Sequence, residues 1–348
     1  MEAERKFMVR AMELALKGLG KVSPNPMVGC VIVHRGEVVG EGWHEYFGGP
    51  HAEVNAILSL KDKKILKRSK VYVTLEPCSH IGKTPPCTNL LIESGVKEVI
   101  IGLKDPNMLV NGTGIHQLEG NGIKVKLGYM EKQAEELNRR FVTFHLEKRP
   151  YIILKWAQTI DGYMAKENGD SKWISNEISR KLSHKWRTEE DAILVGAKTS
   201  ELDNPKLTAR DWEGKNPIRI VLGNPHLHSE ANLFNGESKT WIFNSFRTGM
   251  GKNHSWVKFG KSTMLSEAMQ YLFENNVQSL IVEGGAKTLK SFIVANLWDE
   301  ARVFTSPVEF KSGIKAPELK RQGHIHAVLG DDILTVTRNY NGGRVNNK

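Results

Sequence analysis

The chain has 348 residues, of which 40% are hydrophobic and 25% are charged. These values are typical of globular proteins and exclude a disordered or fibrous chain, and the length favours about two domains. An uninterrupted apolar run of roughly 18 residues, as a membrane-spanning helix requires, does not occur. The first residues also lack the apolar core and small-residue cleavage site of a secretory signal.

The cysteine content and the net charge limit which cellular compartment and which ligands we expect. Three cysteines are too few for a disulfide framework, so we expect a cytoplasmic protein. Lysine and arginine exceed aspartate and glutamate, 49 against 39, and the resulting charge of +10 suits anionic ligands such as phosphates. The basic residues are spread along the chain rather than clustered, so the charge does not favour a nucleic-acid partner.

In the first half of the chain, helical and strand patterns alternate. Apolar residues at helical spacing predict a helix over 4–18, which the prolines of Ser23–Pro26 end. Arg35 and Gly36, between the first two β-branched runs, are typical of a hairpin. Predicted strands cover 28–33, 38–42, 70–75 and 99–103, and predicted helices begin near His51 and cover 87–94 and 131–146. This order predicts an α/β sheet with helices packed on it.

A second series of elements begins after the polar stretch 147–150, which ends in Pro150 and is a candidate linker. We therefore predict one domain over 1–148 and another over 149–348. In the second, predicted strands cover 151–155, 192–195, 218–222, 240–243 and 280–282, and predicted helices cover 176–188 and 265–275. The second domain is therefore also expected to be α/β.

One constellation in the first domain carries clear chemistry. His51 stands at a predicted helix start, Cys78 follows a strand, and Cys87 comes nine residues later. One imidazole and two thiolates are typical zinc ligands, and three protein ligands leave a fourth position for the water of a catalytic site. Glu53 can reach the same centre without being a ligand, so it is a candidate proton carrier.

Other interpretations of these residues remain open. Zinc nucleobase deaminases combine H-x-E with P-C-x-x-C, whereas here eight residues separate Cys78 from Cys87. A structural zinc site would need a fourth ligand, for which His80 is available. The histidine and thiols could also be incidental core residues. Cys30, inside a β-branched run, is interpreted as a core residue.

In the second domain the chemical signal is weaker. No G-x-G-x-x-G follows the first strand, so the dinucleotide-binding fingerprint is absent. Glycines do follow two strands, at Gly196 and at Gly284-Gly285. Glycine lets the backbone approach a ligand, and amides at the next helix start can bind phosphate; a plain tight turn is the alternative.

Four segments of the first domain together resemble a known family. They are SPNPMVGCVIV (23–33), GGPHAEVNA (48–56), TLEPCSHIGKTPPC (74–87) and DPN (105–107). They are similar to the deaminase half of the bifunctional deaminase–reductase family of riboflavin biosynthesis. The loop PCSHIGKTPPC is the most specific of these features, because it separates this family from the general cytidine and tRNA adenosine deaminases.

The second half resembles the reductase domain of the same family, through LKWAQTIDGYMA (154–165), GDSKWIS (169–175), ILVGAKTSELDNPKLTAR (193–210) and VEGGAKTL (282–289). Two segments depart from the family pattern. Gly223-Asn224 follows a strand where the family usually has an aspartate, and SPVEFKSG (306–313) replaces a segment that is commonly apolar and glycine-rich.

The resemblance implies a fold and two reactions. It implies an N-terminal cytidine-deaminase-like zinc domain followed by a dihydrofolate-reductase-like α/β domain. The first domain would deaminate 2,5-diamino-6-(5-phospho-ribosylamino)pyrimidin-4-one, and the second would use NADPH to reduce the ribosyl group to ribityl. The implied cofactors are therefore one zinc ion in the deaminase domain and NADPH in the reductase domain.

The resemblance also implies roles for individual residues. In the deaminase domain, His51, Cys78 and Cys87 would bind zinc, Glu53 would carry protons, and the pyrimidine and phosphate would contact Asn25, His44, His80, Lys83 and Thr84. In the reductase domain, the NADP positions would be Ala157, Trp173, Thr199, Asp203, Gly285, Ala286, Lys287, Thr288, Leu289, Lys290 and Ser291. The substrate positions there would be Ser171, Arg187, Leu207, Arg210 and Glu283. Lys155 and Asp161 receive no role.

Alternative functions make different predictions. A zinc deaminase acting on nucleic acid or a nucleoside, with an inactive second domain, would need clustered cations and exposed aromatics along a groove. A zinc-stapled structural module would release no ammonia from any pyrimidine. The expected partner is a small phosphorylated pyrimidine, with neither a membrane nor a nucleic acid, and a homo-oligomer is left open.

Overall fold

The computed structural model describes residues 2–79, 85–108, 110–171, 173–319 and 324–339. The chain divides into two compact units, Met1–Leu146 and Glu147–Lys348. Within the described ranges, every helix is too short or too polar to cross a membrane.

The first unit combines helices with a five-stranded sheet. Its helices are α1 (Glu2–Leu16), α2 (Ala52–Leu58), α3 (Cys87–Glu93), α4 (Thr113–Gly120), α5 (Glu131–Leu137) and α6 (Arg139–Glu147). Its strands are β1 (Gly29–His34), β2 (Glu37–Trp43), β3 (Ser69–Leu75), β4 (Glu98–Leu103) and β5 (Lys124–Lys126), with a 3-10 helix over Lys63–Arg68.

The strand order in this sheet is β2-β1-β3-β4-β5. The predicted hairpin between β1 and β2 is confirmed, and its turn residues Arg35 and Gly36 have φ of 51° and 85°, as a tight hairpin turn requires. Strands β3, β4 and β5 are parallel. The segments after β3 and β4 therefore leave the sheet at the same edge.

Helices cover both faces of the sheet, and alternate residues of β1 are therefore buried on opposite sides. Cys30 and Ile32 pack in one apolar cluster with residues of α2, and Val31 and Val33 in another with residues of α1. Gly29 brings α1 close, since a Cβ there would lie 1.9 Å from the carbonyl oxygen of Ala11. Cys30 is 1% exposed, in agreement with its interpretation as a core residue.

The predicted single helix over 131–146 is wrong, because the segment forms two helices, α5 and α6, on either side of Asn138. The Asn138 amide nitrogen donates to the carbonyl of Met27, and its amide oxygen accepts from the Met27 N–H, both at 2.9 Å. This contact between residues distant in sequence favours a break in the helix. Helix α4 and strand β5 are further elements that the sequence patterns did not predict.

The second unit contains a ten-stranded and a two-stranded sheet. Its helices are α7 (Glu177–Glu189), α8 (Ala197–Asp203), α9 (Met264–Glu274) and α10 (Ala286–Val294), with a 3-10 helix over Asn232–Phe234. Its strands are β6 (Tyr151–Thr159), β7 (Tyr163–Ala165), β8 (Ala192–Gly196), β9 (Ile218–Leu222), β10 (Thr240–Asn244), β11 (Gly249–Met250), β12 (His254–Lys258), β13 (Ser279–Gly284), β14 (Glu300–Ser306), β15 (Ile314–Lys315), β16 (His324–Leu329) and β17 (Asp332–Arg338).

The large sheet has the order β11-β12-β10-β9-β8-β13-β6-β14-β17-β16. The strands from β12 to β14 are parallel, and β11, β17 and β16 join antiparallel at the margins. The predicted α/β class is therefore confirmed. The predicted strands are the central ones, and the antiparallel strands at the margins went unpredicted.

The parallel arrangement places the predicted glycine turns at one edge of the sheet. Strand β8 ends at Gly196 and its neighbour β13 ends at Gly284. A core of strand and helix side chains, including Leu194, Val282 and Phe292, fixes these strands below the turns. Ligands of parallel α/β sheets bind at this carboxyl edge.

Candidate functional sites

Three elements of the first unit bring a nitrogen and two sulfur atoms together. His51 directly precedes α2, Cys78 follows β3, and Cys87 begins α3. The Nδ1 atom of His51 lies 3.4 Å from Cys78 Sγ and 3.3 Å from Cys87 Sγ. Among the described residues, these donor atoms form a group within 4.8 Å that can hold a metal ion.

The donor set fits zinc. Zinc bonds of about 2.3 Å to sulfur and 2.0–2.1 Å to nitrogen in a tetrahedron place ligand atoms roughly 3.5 Å apart, close to the separations found here. The hydrogen bond from Cys87, together with that from His51, lowers the pKa of Cys78 to about 4. The thiolate form of Cys78, which binds metals, is therefore favoured at neutral pH, whereas the hydrogen bond with Cys78, followed by burial, raises the pKa of Cys87.

Glu53 lies in the first turn of α2, and its side chain is 3% exposed. Burial, followed by the negative charge of Cys78, raises the pKa of Glu53. A buried carboxyl group with a raised pKa holds a proton more readily than an exposed one and can pass it on. The position beside the three donor atoms suits a proton carrier.

Asn25 and His44 lie next to this cluster. The His44 ring stands edge-on to that of His51, with centroids 5.4 Å apart. His44 Nδ1 lies 2.9 Å from the Pro50 carbonyl oxygen, and Nε2 lies 3.1 Å from Asn25 Nδ2. Since a carbonyl only accepts, Nδ1 carries the proton and Nε2 accepts from the amide. Three further predicted contacts lie outside the described residues, namely His80, Lys83 and Thr84.

Glu76, which the sequence patterns did not single out, is buried next to the metal loop. Its carboxylate accepts hydrogen bonds from the backbone N–H groups of Asp105, Gly112, Gly114 and Ile115. Glu76 is only 4% exposed. The sequence signal that could have identified Glu76 is an acidic residue directly between an apolar strand and a Pro-Cys pair.

In the second unit, the two glycine turns lie side by side with two threonines. A Cβ on Gly196 would lie 2.3 Å from Thr288 Oγ1, and one on Gly285 would lie 3.0 Å from Thr199 Oγ1. Gly285 also has a φ of 64°, which favours glycine. A side chain at Gly196 would displace the Thr288 hydroxyl, and the backbone at Gly285 favours glycine, so both turns suit glycine and bring the starts of α8 and α10 together at the carboxyl edge of the sheet.

Arg187, Glu283 and Lys155 form a buried charged cluster beside these turns. Arg187 donates from Nε and Nη2 to the carboxylate of Glu283 at 2.9 and 2.7 Å, and from Nη1 to the Thr208 carbonyl. Lys155 Nζ lies 3.6 Å from the same carboxylate. Burial opposes ionisation of Glu283, but the charges of Arg187 and Lys155 outweigh it and lower the pKa of Glu283 to about 2.

The other predicted reductase positions differ in exposure. Trp173 is 67% exposed, and Arg180 lies 4.6 Å over its ring. Leu207 is buried, and Leu289 is buried in the core beneath α10. Exposed residues are Asp203, Arg210, Lys287, Lys290 and Ser291, and half-buried ones are Ala157, Ser171, Thr199, Ala286 and Thr288.

In the structure, hydrogen bonds hold both segments that depart from the family pattern, Gly223-Asn224 and 306–313. Asp161 accepts hydrogen bonds from the backbone N–H groups of Phe310 and Lys311, so it fixes the segment 306–313. Asn224 accepts from the Ser245 N–H at 2.9 Å, which links the ends of β9 and β10.

Two family models match the chain. Residues 1–103 match the cytidine and deoxycytidylate deaminase zinc-binding region, and residues 150–313 match the RibD C-terminal domain. The fold class predicted for the two halves is thereby confirmed. The zinc-binding match covers both His51 and the two cysteines.

Curated relatives match almost the whole chain. The riboflavin biosynthesis protein RibD of Bacillus amyloliquefaciens is 42% identical over 91% of this chain and 87% of its own. RibD of Aquifex aeolicus is 40% identical over 91% of each. These matches run through both halves, so a zinc deaminase with an unrelated or inactive second half is not favoured.

Solved structures agree in fold. A deaminase/reductase from Thermotoga maritima, named for diaminohydroxyphosphoribosylaminopyrimidine and 5-amino-6-(5-phosphoribosylamino)uracil, has a TM-score of 0.87 at 37% identity, covering 97% of this chain and 99% of its own. Acinetobacter baumannii RibD has the same TM-score at 30% identity and the same coverage. The chain belongs to the RibD family of bifunctional riboflavin-biosynthesis enzymes, with a zinc-binding deaminase domain followed by a reductase domain.

Proposed function

We propose that the first domain deaminates 2,5-diamino-6-(5-phospho-ribosylamino)pyrimidin-4-one and that the second uses NADPH to reduce the ribosyl group of the product to ribityl. The family relationship supports the pair of reactions. The observation that carries the proposal is the grouping of His51, Cys78 and Cys87 around a possible metal position, with buried Glu53 beside it.

In the deaminase domain, His51, Cys78 and Cys87 are the proposed zinc ligands. Zinc bound there supplies a water molecule with a pKa near 7. Glu53 is the proposed proton carrier: it would take the proton that the attacking water gives up as it adds to the amino-bearing carbon, and would deliver it to the departing amino group. Its burial excludes bulk water from this transfer.

Asn25 and His44 are proposed to face the pyrimidine. His44 is held in one orientation by the Pro50 carbonyl, and burial lowers the pKa of its ring. The neutral ring fixes the Asn25 amide through their mutual hydrogen bond. An amide has both a donor and an acceptor to offer to ring edges of a pyrimidine. His80, Lys83 and Thr84 remain proposed substrate contacts.

In the reductase domain, NADPH is proposed to lie over the glycine turns at the carboxyl edge of the sheet. Backbone amides at the start of α10 suit its phosphate groups, and the proposed contacts are Ala157, Trp173, Thr199, Asp203 and the residues from Gly285 to Ser291. The substrate is proposed to contact Ser171, Arg187, Leu207, Arg210 and Glu283. Arg210 is the better candidate for its phosphate, because Glu283 and Thr208 already engage Arg187.

Finer features of the organisation are also proposals. The deaminase domain is proposed to cover 1–148 and the reductase domain 149–348, so that the linker carries neither site. A cytoplasmic location is proposed, since three cysteines are too few for a disulfide framework. Assembly into a homo-oligomer is left as a possibility that sedimentation of the full chain decides.

A single assay tests both reactions. The purified chain receives zinc and the diaminopyrimidine phosphate, with or without NADPH, and the products are identified by mass. We expect the deaminated ribosyl compound without NADPH and the ribityl compound with it. If the deaminated ribosyl compound forms but NADPH does not convert it, the second reaction is wrong; if no deaminated product appears under either condition, the first is wrong.

A further inference from the structure

The carboxylate of Glu76 joins two segments of the deaminase domain. One oxygen accepts from the N–H groups of Gly114 and Ile115 at 2.9 and 3.2 Å, and the other from those of Gly112 and Asp105 at 2.9 and 3.2 Å. Three of these four amides belong to the start of α4. A carboxylate is well suited there, because the first N–H groups of a helix lack partners within it and carry partial positive charge.

The same segments touch at two further points. A Cβ on Gly114 would lie 2.2 Å from the carbonyl oxygen of Pro77, so the start of α4 packs directly on the backbone before Cys78. The hydroxyls of Ser79 and Thr113 lie 2.6 Å apart. Cys78 is therefore flanked on both sides by residues attached to α4.

We propose that Glu76 is a positioning residue for the metal centre: it holds the loop with Cys78 against α4 and thereby fixes where the Cys78 sulfur lies. This role rests on the proposed zinc site and extends it to a residue that is not one of the proposed ligands or substrate contacts. In Glu76→Gln, one acceptor oxygen becomes an NH₂ group facing backbone N–H donors. The loop then separates from α4, and the Cys78 sulfur moves away from His51 and Cys87.

The test uses the full-length chain loaded with zinc or with cobalt. Release of zinc to a chelator and the visible absorption spectrum of bound cobalt are measured for the wild type, Glu76→Gln and Glu98→Gln. Glu98 serves as the control, since it is an acid on β4 of the same domain and pairs with Lys70 of β3 and Lys126 of β5 instead of with α4. Loss of a supporting outer residue weakens metal binding by about 10- to 100-fold.

We expect Glu76→Gln to release zinc at least about tenfold faster and to shift the cobalt spectrum, while Glu98→Gln matches the wild type. A general loss of stability would not change the spectrum of the folded fraction. Unchanged spectrum and release in Glu76→Gln would overturn the proposal. If the wild type shows no thiolate-to-cobalt band, the zinc site itself is wrong instead.

Two milder variants decide the matter if Glu76→Gln does not fold. Ser79→Ala removes the hydroxyl contact with Thr113 at a site exposed to solvent, and Gly114→Ala forces α4 away from Pro77. Either folded variant should release zinc faster than the wild type, with Ser79→Ala the smaller effect. Wild-type release in every variant that folds would overturn the proposal.

Discussion

Arg187 and Glu283 bind each other through two parallel hydrogen bonds, at 2.9 and 2.7 Å, with side chains only 11% and 7% exposed. The pair joins α7 to the end of β13, next to the glycine turns. These two residues, which were each predicted to contact the substrate, therefore bind each other in the structure. We expect this pair to support the proposed substrate site structurally.

Breaking this pair should destabilise the reductase domain. Glu283→Gln leaves the Arg187 cation buried without its counter-charge, and such a loss costs about 3–5 kcal/mol. Replacing both, as in Arg187→Met with Glu283→Gln, should cost clearly less than the sum of the single changes. Urea unfolding followed by tryptophan fluorescence measures these free energies. Strict additivity would show that the two residues do not stabilise each other.

The proposed zinc ligands and Glu53 should respond differently to substitution. Cys78→Ser or Cys87→Ser should remove zinc and abolish deamination, because a three-ligand site loses a thiolate. Glu53→Gln should abolish deamination and keep zinc, because it loses only a proton carrier. Zinc content by elemental analysis and ammonia release are measured together. Equal zinc loss in Glu53→Gln and the cysteine variants would contradict this division of roles.

Arg210 should govern substrate affinity in the reductase domain. Its side chain is 51% exposed, so the guanidinium can reach a phosphate. A charge-assisted hydrogen bond contributes roughly 1.5–3 kcal/mol, so Arg210→Ala should raise the KM for substrate by about 10- to 100-fold. Arg210→Lys should restore this only in part, because lysine lacks the planar fork.

The assay for Arg210 is steady-state reduction with substrate and NADPH varied separately. Lys215→Ala is the control, since Lys215 is another exposed cation of this domain and pairs with Asp191. Deamination should be unchanged in both variants. An effect of Arg210→Ala on the KM for NADPH alone would mean that the two binding sites have been interchanged.

The titration of Asp105 should make the free energy of unfolding of the deaminase domain depend on pH. Burial raises the pKa of Asp105 from 3.8 to about 6. Between these values the folded state holds a proton that the unfolded state has lost, so this contribution to stability falls as pH rises through the window. Above pH 6 the ionised group costs at most about 3 kcal/mol.

Asp105→Asn removes this titration and keeps the oxygen that accepts from the Asn107 N–H. The variant should therefore unfold at a higher temperature than the wild type at pH 7.5, and the difference should vanish near pH 4. Thermal unfolding from pH 4 to 8 measures it. A difference independent of pH would show that Asp105 has an ordinary pKa.

The two domains should work separately. A chain of residues 1–148 should still deaminate, and one of 149–348 should still reduce the deaminated intermediate, because each unit has its own apolar core. The products of each half are identified by mass. Soluble, folded halves that are both inactive would contradict the prediction, whereas an insoluble half would call for a version carrying a solubility partner.

Local patterns predicted the elements that are continuously apolar. The β-branched runs around Ile152, Ile193 and Ile281 predicted strands, and the structure makes them central parallel strands buried on both faces. Strand β14 was missed although its ARVFTS pattern resembles these runs. The hairpin of β16 and β17 was also missed, although Gly330-Asp331 marks its turn.

Contacts between distant residues lay beyond local patterns. His51, Cys78 and Cys87 were identifiable because their residue types are rare and chemically specific. The pairing of Arg187 with Glu283 could not be identified from the sequence, because the two residues lie 96 positions apart. Glu76 was missed for a different reason: its partners are backbone amides, which no residue type identifies, and only its place between an apolar strand and a Pro-Cys pair sets it apart.

The bond between Met27 and Asn138 has a consequence for the order in which the chain folds. These residues are 111 positions apart, and a ribosome delivers the chain from its N-terminus. Asn25, two positions before Met27, therefore gains its final support only when nearly all of the deaminase domain has emerged. The proposed pyrimidine pocket should mature late in synthesis, after strands β1 to β5 and the two cysteines of the metal site have emerged.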